Sequence, residues 1–204
     1  MKKINQLRLI LFSYCLLMLV LKTPFSFMSL NVFLAWLPLE AGHFLQQAKR
    51  PAVKFFCAAV WLLFFPNIPY LLTDAIHLKI LTLYRPGGHF ELQPIQWSFF
   101  ALLIVPIVCL VGLGMKQVFM IISRFKVDKL WQKWLLLIVI AVLSSLAIFI
   151  GRFDRIHSIE LVLRPIHTLR LLLGNWSQAK LLFVGLFTGL QLSIWKILEF
   201  EGEV

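Results

Sequence analysis

Four stretches of this chain carry no charged residue and are long enough to cross a bilayer: 23–39, 55–73, 92–115 and 134–151. A spanning helix needs about 20 mostly apolar residues, with a range of roughly 17–25. Lipid offers the backbone no hydrogen-bond partners, so runs of this length are read as helices that satisfy themselves. Two weaker candidates sit at the ends. The segment 4–21 spans if Arg8 snorkels to the interface, and 181–200 spans if Lys196 does the same. The expected fold is therefore all-α: an integral membrane protein, a bundle of about six transmembrane helices forming one domain over 1–204. The spans are expected near 4–21, 25–44, 53–72, 95–115, 133–151 and 181–200, with an outer amphipathic loop at 152–180.

Composition agrees with that solvent. Hydrophobic residues make up 60% of the chain and charged residues 14%, against roughly a quarter charged in soluble domains. A net charge of +11 would point to nucleic acid in a soluble protein. Here the basic residues flank apolar runs, where they meet anionic headgroups, so the bilayer is the expected partner and nucleic acid is not. Lys2 and Lys3 before an apolar run resemble a signal peptide, but no small-x-small cleavage site follows, so an uncleaved first helix is expected. Cys15, Cys57 and Cys109 are an odd, widely spaced set inside the spans, which suits packing rather than disulfides or zinc. Most tryptophans fall near span ends as interfacial anchors, with Trp36 and Trp61 deeper. Glu199, Glu201 and Glu203 read as a solvated tail.

With six spans, both termini and two loops share one face. That face holds twelve Lys and Arg residues against eight on the other, which places the termini in the cytoplasm. The loop holding Arg152, Arg155, Arg164, Arg170 and Lys180 runs against this bias. Its apolar positions Ile156, Ile159, Leu163 and Ile166 form one helical stripe, as in a segment lying on the membrane surface.

Polar chemistry concentrates around 61–78. An apolar run there meets Pro66, Asn67 and Pro69, then Asp74 and His77. Each proline removes an N–H and disturbs the carbonyl four residues earlier, at Leu62 and Phe65. Asn67 is positioned to answer the freed groups. Asp74 and His77, three apart, share a helical face. On the same predicted side lie His89, Glu91, Arg152, Asp154, Arg155, His157, Glu160, Arg164 and His167. Three readings stay open. Asp74 and His77, with His157 or Glu160, could hold zinc or manganese, although no dense ligand motif commits the chain to a metal. Arg152 and Arg155 could hold a phosphate or lipid headgroup. Asp74 and His77 could simply pair or cap helices. Glu40 and His43 form a second pair at the cytoplasmic end, read either as functional or as a solvated Glu. Gly185-x-x-x-Gly189 is a helix-packing motif in the last span.

The segments NVFLAWLP from Asn31, FPNIPYLLTDAIHL from Phe65 and GRFDRIHS from Gly151 resemble the bacterial membrane family called domain of unknown function 1361. The resemblance covers nearly the whole chain and is most specific in the middle segment. It implies a multi-pass protein of the bacterial cytoplasmic (inner) membrane. The family-like positions include Pro66, Asn67, Pro69, Tyr70, Thr73, Asp74, His77, Gly151, Arg152, Arg155 and Ser158. In the last segment His157, Ile159 and Glu160 depart from the family pattern, which shifts weight from His157 to Arg152 and Arg155.

The leading expectation is a binding or transport-accessory protein. Its outer-face pocket of Asn67, Tyr70, Asp74, His77, Arg152 and Arg155 would hold a small anion or an anionic lipid headgroup. One alternative is a membrane enzyme acting on a lipid-linked phosphate, with Asp74 or His77 as general base. Another is a helical scaffold for a partner membrane protein, in which Gly185 and Gly189 matter most. Single cysteines at Gly88 and Ser158, in a chain without Cys15, Cys57 and Cys109, are expected both to react with a membrane-impermeant thiol reagent on whole cells. Labelling of only one would separate the two clusters across the bilayer and remove the shared pocket.

Overall fold

The computed structural model describes residues 2–21, 23–82, 93–125, 127, 129–154, 163–174 and 176–201. They fold as helices, with no strand among the described residues. In chain order these are α1 (Lys2–Val20), α2 (Met28–Gln47), α3 (Pro51–Phe64), α4 (Asn67–Asp74), α5 (Pro94–Arg124), α6 (Leu130–Phe149), α7 (Pro165–Leu173) and α8 (Gln178–Glu201). A 3-10 helix, Ala75–Ile80, follows α4, and a π-helical turn, Ile150–Asp154, ends α6. Prolines open α3, α5 and α7, where the missing N–H would have had no intrahelical partner.

Four segments are long and apolar enough to cross a membrane: Pro51–Ile80, Pro94–Arg124, Leu130–Asp154 and Gln178–Phe200; Ile4–Val20 is a shorter apolar helix. Four of the six expected spans, near 53–72, 95–115, 133–151 and 181–200, fall on these segments, while helices α1 and α2 occupy the expected 4–21 and 25–44. Exposed Leu9, Phe55, Val108 and Leu186 give the bundle an apolar exterior, as expected where lipid is the neighbour. This is a multi-pass, all-α membrane bundle. The segment α7 lies in the predicted amphipathic loop, where apolar Ile166, Leu169 and Leu173 are exposed together with His167 and Arg170, while Ile156 and Ile159 of the expected stripe lie outside the described residues. Buried Lys180 donates to the carbonyls of Leu171, Leu172 and Gly174, capping the end of α7.

Helix α2 is central, packing on α1, α3, α4 and α5, while α8 packs mainly on α6. Alternating direction places the start of α1 and the end of α8 at one end of the bundle, the amino end. There Arg8 meets Glu40, Arg124 bonds the carbonyl of Ala48 at 3.2 Å, and Lys133 meets Glu199 at 2.7 Å. Glu199 therefore is not part of a solvated tail, because Lys133 and Lys196 hold it against the helices. Trp195 is also not an interfacial anchor. It is fully buried and donates to the carbonyl of Met115 at 3.1 Å, tying α8 to α5.

The prolines at 66 and 69 do not take the chain out of helical conformation. Phe65 and Pro66 keep right-handed helical angles, and Pro69 sits in the first turn of α4, where no N–H is required. The Phe65 carbonyl, which Pro69 cannot serve, accepts from the Ile68 N–H at 2.9 Å. Asn67 does supply its amide, to Phe64 at 2.9 Å. A similar repair occurs in α5, where Pro106 cannot serve the carbonyl of Leu102 and the Tyr14 hydroxyl donates to it at 2.8 Å.

Close approach of α4 to α5 depends on Gly114, where a Cβ would run into the buried side chain of Ile68. Gly185 and Gly189 face open space, so the G-x-x-x-G motif makes no close helix contact among the described residues. Gly114→Ala is therefore expected to lower stability by about 1–3 kcal/mol in detergent. Gly185→Ala should leave it unchanged or raise it by up to ~1 kcal/mol. Equal effects of the two changes on the thermal midpoint would contradict this packing.

Candidate functional site

The Asp74 side chain has no exposed surface. It closes α4, and two donors from distant parts of the chain reach it. Asn31, near the start of α2, donates to Oδ2 at 2.7 Å, and Arg152 donates to Oδ1 at 3.1 Å. Both carboxylate oxygens thus have protein partners, as burial of a charge demands. The same guanidinium donates to the Thr73 carbonyl and to the Tyr70 hydroxyl at 3.3 Å, and lies 5.2 Å from the Tyr70 ring centre. Tyr70 and Thr73 thus occupy the helical turn beside Asp74 and complete the seat for Arg152.

Arg152 reaches this seat from the π-helical turn that ends α6. Such turns insert an extra residue into the helical register and recur at functional sites. Its side chain remains 22% exposed, so one edge of the fork meets the surface. A guanidinium has five N–H donors. The described contacts engage Nη1 once and Nη2 twice, leaving Nε and one Nη1 hydrogen.

His77 meets Asp74 mainly through the backbone, with the carboxylate at ion-pair distance. Its Nδ1 lies 3.0 Å from the Asp74 backbone carbonyl and 4.0 Å from Oδ1. A carbonyl only accepts, so Nδ1 carries the proton and Nε2 of a neutral ring keeps its lone pair. The ring also packs on Phe27 at 4.5 Å between centres and is 26% exposed.

Five of the six sequence-predicted residues lie in the described structure. Tyr70, Asp74 and Arg152 are joined directly, His77 lies one turn on, and Asn67 sits at the start of α4, bonded to Phe64. Arg155, with His157 and Glu160, lies outside the described residues. Among the described residues no three His, Cys, Asp or Glu side chains group as metal ligands. With N–H donors on both oxygens, Asp74 is also poorly disposed to ligate a cation.

Asn31 is the residue that sequence reasoning missed as a site member. The available signal was an amide inside the uncharged run 23–39, since polar groups at membrane depth are functional candidates. The Glu40 pairing differs from expectation as well. Glu40 binds Arg8 through two bonds and Trp36 through a third, while His43 lies 2.6 Å from Gln47. Neither Arg8 nor Glu40 is simply solvated, because the pair joins two helices that cross at that height.

The family model described as protein of unknown function (DUF1361) matches residues 30–194. The chain belongs to this family. The DUF1361 match includes Asn31, Tyr70, Asp74, His77 and Arg152, so the whole cluster lies inside the family region. No curated protein and no solved structure matches the chain.

Proposed function

We propose that this DUF1361 protein binds a small anion or the headgroup of an anionic lipid at the end of the bundle that holds Asp74 and Arg152, in a binding or transport-accessory role. In this reading it resides in the bacterial inner membrane with both termini cytoplasmic, so the site faces outward. The observation that carries the reading is the buried Asp74 carboxylate holding Arg152 from behind while an edge of the guanidinium stays exposed. A fork fixed in this way loses little freedom when it meets an oxyanion, and its geometry suits phosphate.

Asp74 balances the charge of Arg152, so an oxyanion would be held by the guanidinium N–H groups left uncommitted rather than by net charge. The Tyr70 hydroxyl supplies a polar edge beside Arg152. The enzyme reading retains one specific support, the proton on His77 Nδ1, which leaves Nε2 able to act as a base toward a lipid-linked phosphate. Asp74 is unsuited to that role, with both oxygens committed.

Arg152→Lys keeps the charge and loses the fork; His77→Ala leaves the Asp74–Arg152 pair in place. Both are expected to reduce co-purified anionic lipid by about tenfold, the equivalent of ~1.4 kcal/mol, and to reproduce the host phenotype of a deletion. Unchanged lipid content together with a normal host phenotype in both variants would contradict the proposal. Loss of activity on a lipid-linked phosphate in His77→Ala, with lipid binding retained, would favour the enzyme.

A further inference from the structure

A second polar junction lies at the amino end, remote from the Asp74 cluster. Arg8 of α1 meets Glu40 of α2 side-on, with Nε 2.8 Å from Oε1 and Nη2 2.6 Å from Oε2. The Trp36 indole N–H adds a third bond to Oε1 at 2.9 Å. Arg8 Nη1 donates to the Asn5 side-chain carbonyl at 3.2 Å. These bonds occupy both oxygens of Glu40 and the side-chain oxygen of Asn5.

Against this junction lies a shallow, open cleft of about 400 Å³ lined by Asn5, Arg8, Leu9, Phe12 and Trp36. The polar hydrogens still uncommitted there belong to donors: the second hydrogens of Arg8 Nη1 and Nη2, and the Asn5 amide. The remaining walls are hydrocarbon and aromatic, and Leu9 and Phe12 are 65% and 60% exposed. Donors at one edge of an apolar cleft call for a ligand with acceptor oxygens and a hydrocarbon tail. Arg8 lies six residues into α1, about 9 Å along the helix axis, a depth from which an arginine reaches headgroup level by snorkelling.

We propose that the cleft between α1 and α2 is a phospholipid site, in which a phosphodiester oxygen accepts from Arg8 and Asn5 while the acyl chain lies along Leu9, Phe12 and Trp36. Glu40 is then a positioning residue: it fixes the fork and balances its charge. Because the Arg8–Glu40 pair is neutral, the site reads the phosphodiester and the chain rather than the headgroup's net charge. Free phosphate shares the acceptor chemistry but leaves the apolar walls unused. The site also differs from the proposed far-end site in drawing on α1, all of which precedes the family-matched residues.

The test is native mass spectrometry of the full chain, delipidated in detergent and titrated separately with dioleoylphosphatidylglycerol, dioleoylphosphatidylethanolamine, dioleoylglycerol and inorganic phosphate. The expected result is one tightly retained molecule of either phospholipid, with weak retention of dioleoylglycerol and of inorganic phosphate. Leu9→Trp, which fills the cleft, and Asn5→Leu, which removes a donor, should each lower phospholipid occupancy about tenfold. Both sites of substitution are exposed, and an unchanged thermal midpoint checks the fold. Equal retention of dioleoylglycerol, or inorganic phosphate binding as tightly as lipid, would overturn the proposal. So would unchanged occupancy in both variants, or a loss seen with Arg152→Lys in place of these two.

Discussion

In a chain whose exterior is hydrocarbon, a carboxylate with no exposed surface must be matched by the protein itself. Leaving such a charge unpaired costs several kcal/mol, and Asp74 is matched by residues from two remote helical segments. Asn31 brings in α2, and Arg152 brings in the turn that ends α6. Three segments separated by dozens of residues are thereby fixed at one level of the bundle. The orientation of Arg152, with its exposed edge and its contact to Tyr70, follows from that pairing.

A related demand governs the helices. Each internal proline withdraws a donor from a backbone that has no water to replace it. The structure answers locally at Phe64 and Phe65, and across helices where the Tyr14 hydroxyl serves Leu102. Long polar side chains do similar work elsewhere. Gln117 of α5 donates to the Leu39 carbonyl at 2.8 Å while accepting from Trp61 of α3 at 3.2 Å. Trp195 ties α8 to α5 by the same means. Lipid supplies little apolar driving force between helices, so these bonds and close approaches such as Gly114 against Ile68 specify which faces meet.

The class and the helical runs were legible because length and hydrophobicity are properties of single segments. Asp74, Tyr70 and His77 were legible as a group because they are close in sequence. Their partners were not equally visible. Arg152 stood out by its charge, whereas Asn31 carries no charge and sits 43 residues from Asp74, a pairing that only tertiary contact creates. The same limit applied to Glu40, whose nearest sequence candidate was His43 and whose actual partner, Arg8, comes from another helix. Prolines 66 and 69 suggested a break because local rules penalise them inside a helix. They are tolerated because a second helix starts where they stand.

The central claim is that Asp74 and Arg152 depend on each other. A double-mutant cycle tests it most directly, with Asp74→Asn, Arg152→Met and the double variant unfolded in mixed micelles. Arg152→Met is expected to cost about 3–5 kcal/mol, because it leaves the buried Asp74 carboxylate without its cation, and Asp74→Asn is expected to cost less, because Arg152 keeps an exposed edge. The double variant should cost less than their sum by about 1–3 kcal/mol. Costs that add to within ~0.5 kcal/mol would mean that the two groups do not act as a pair.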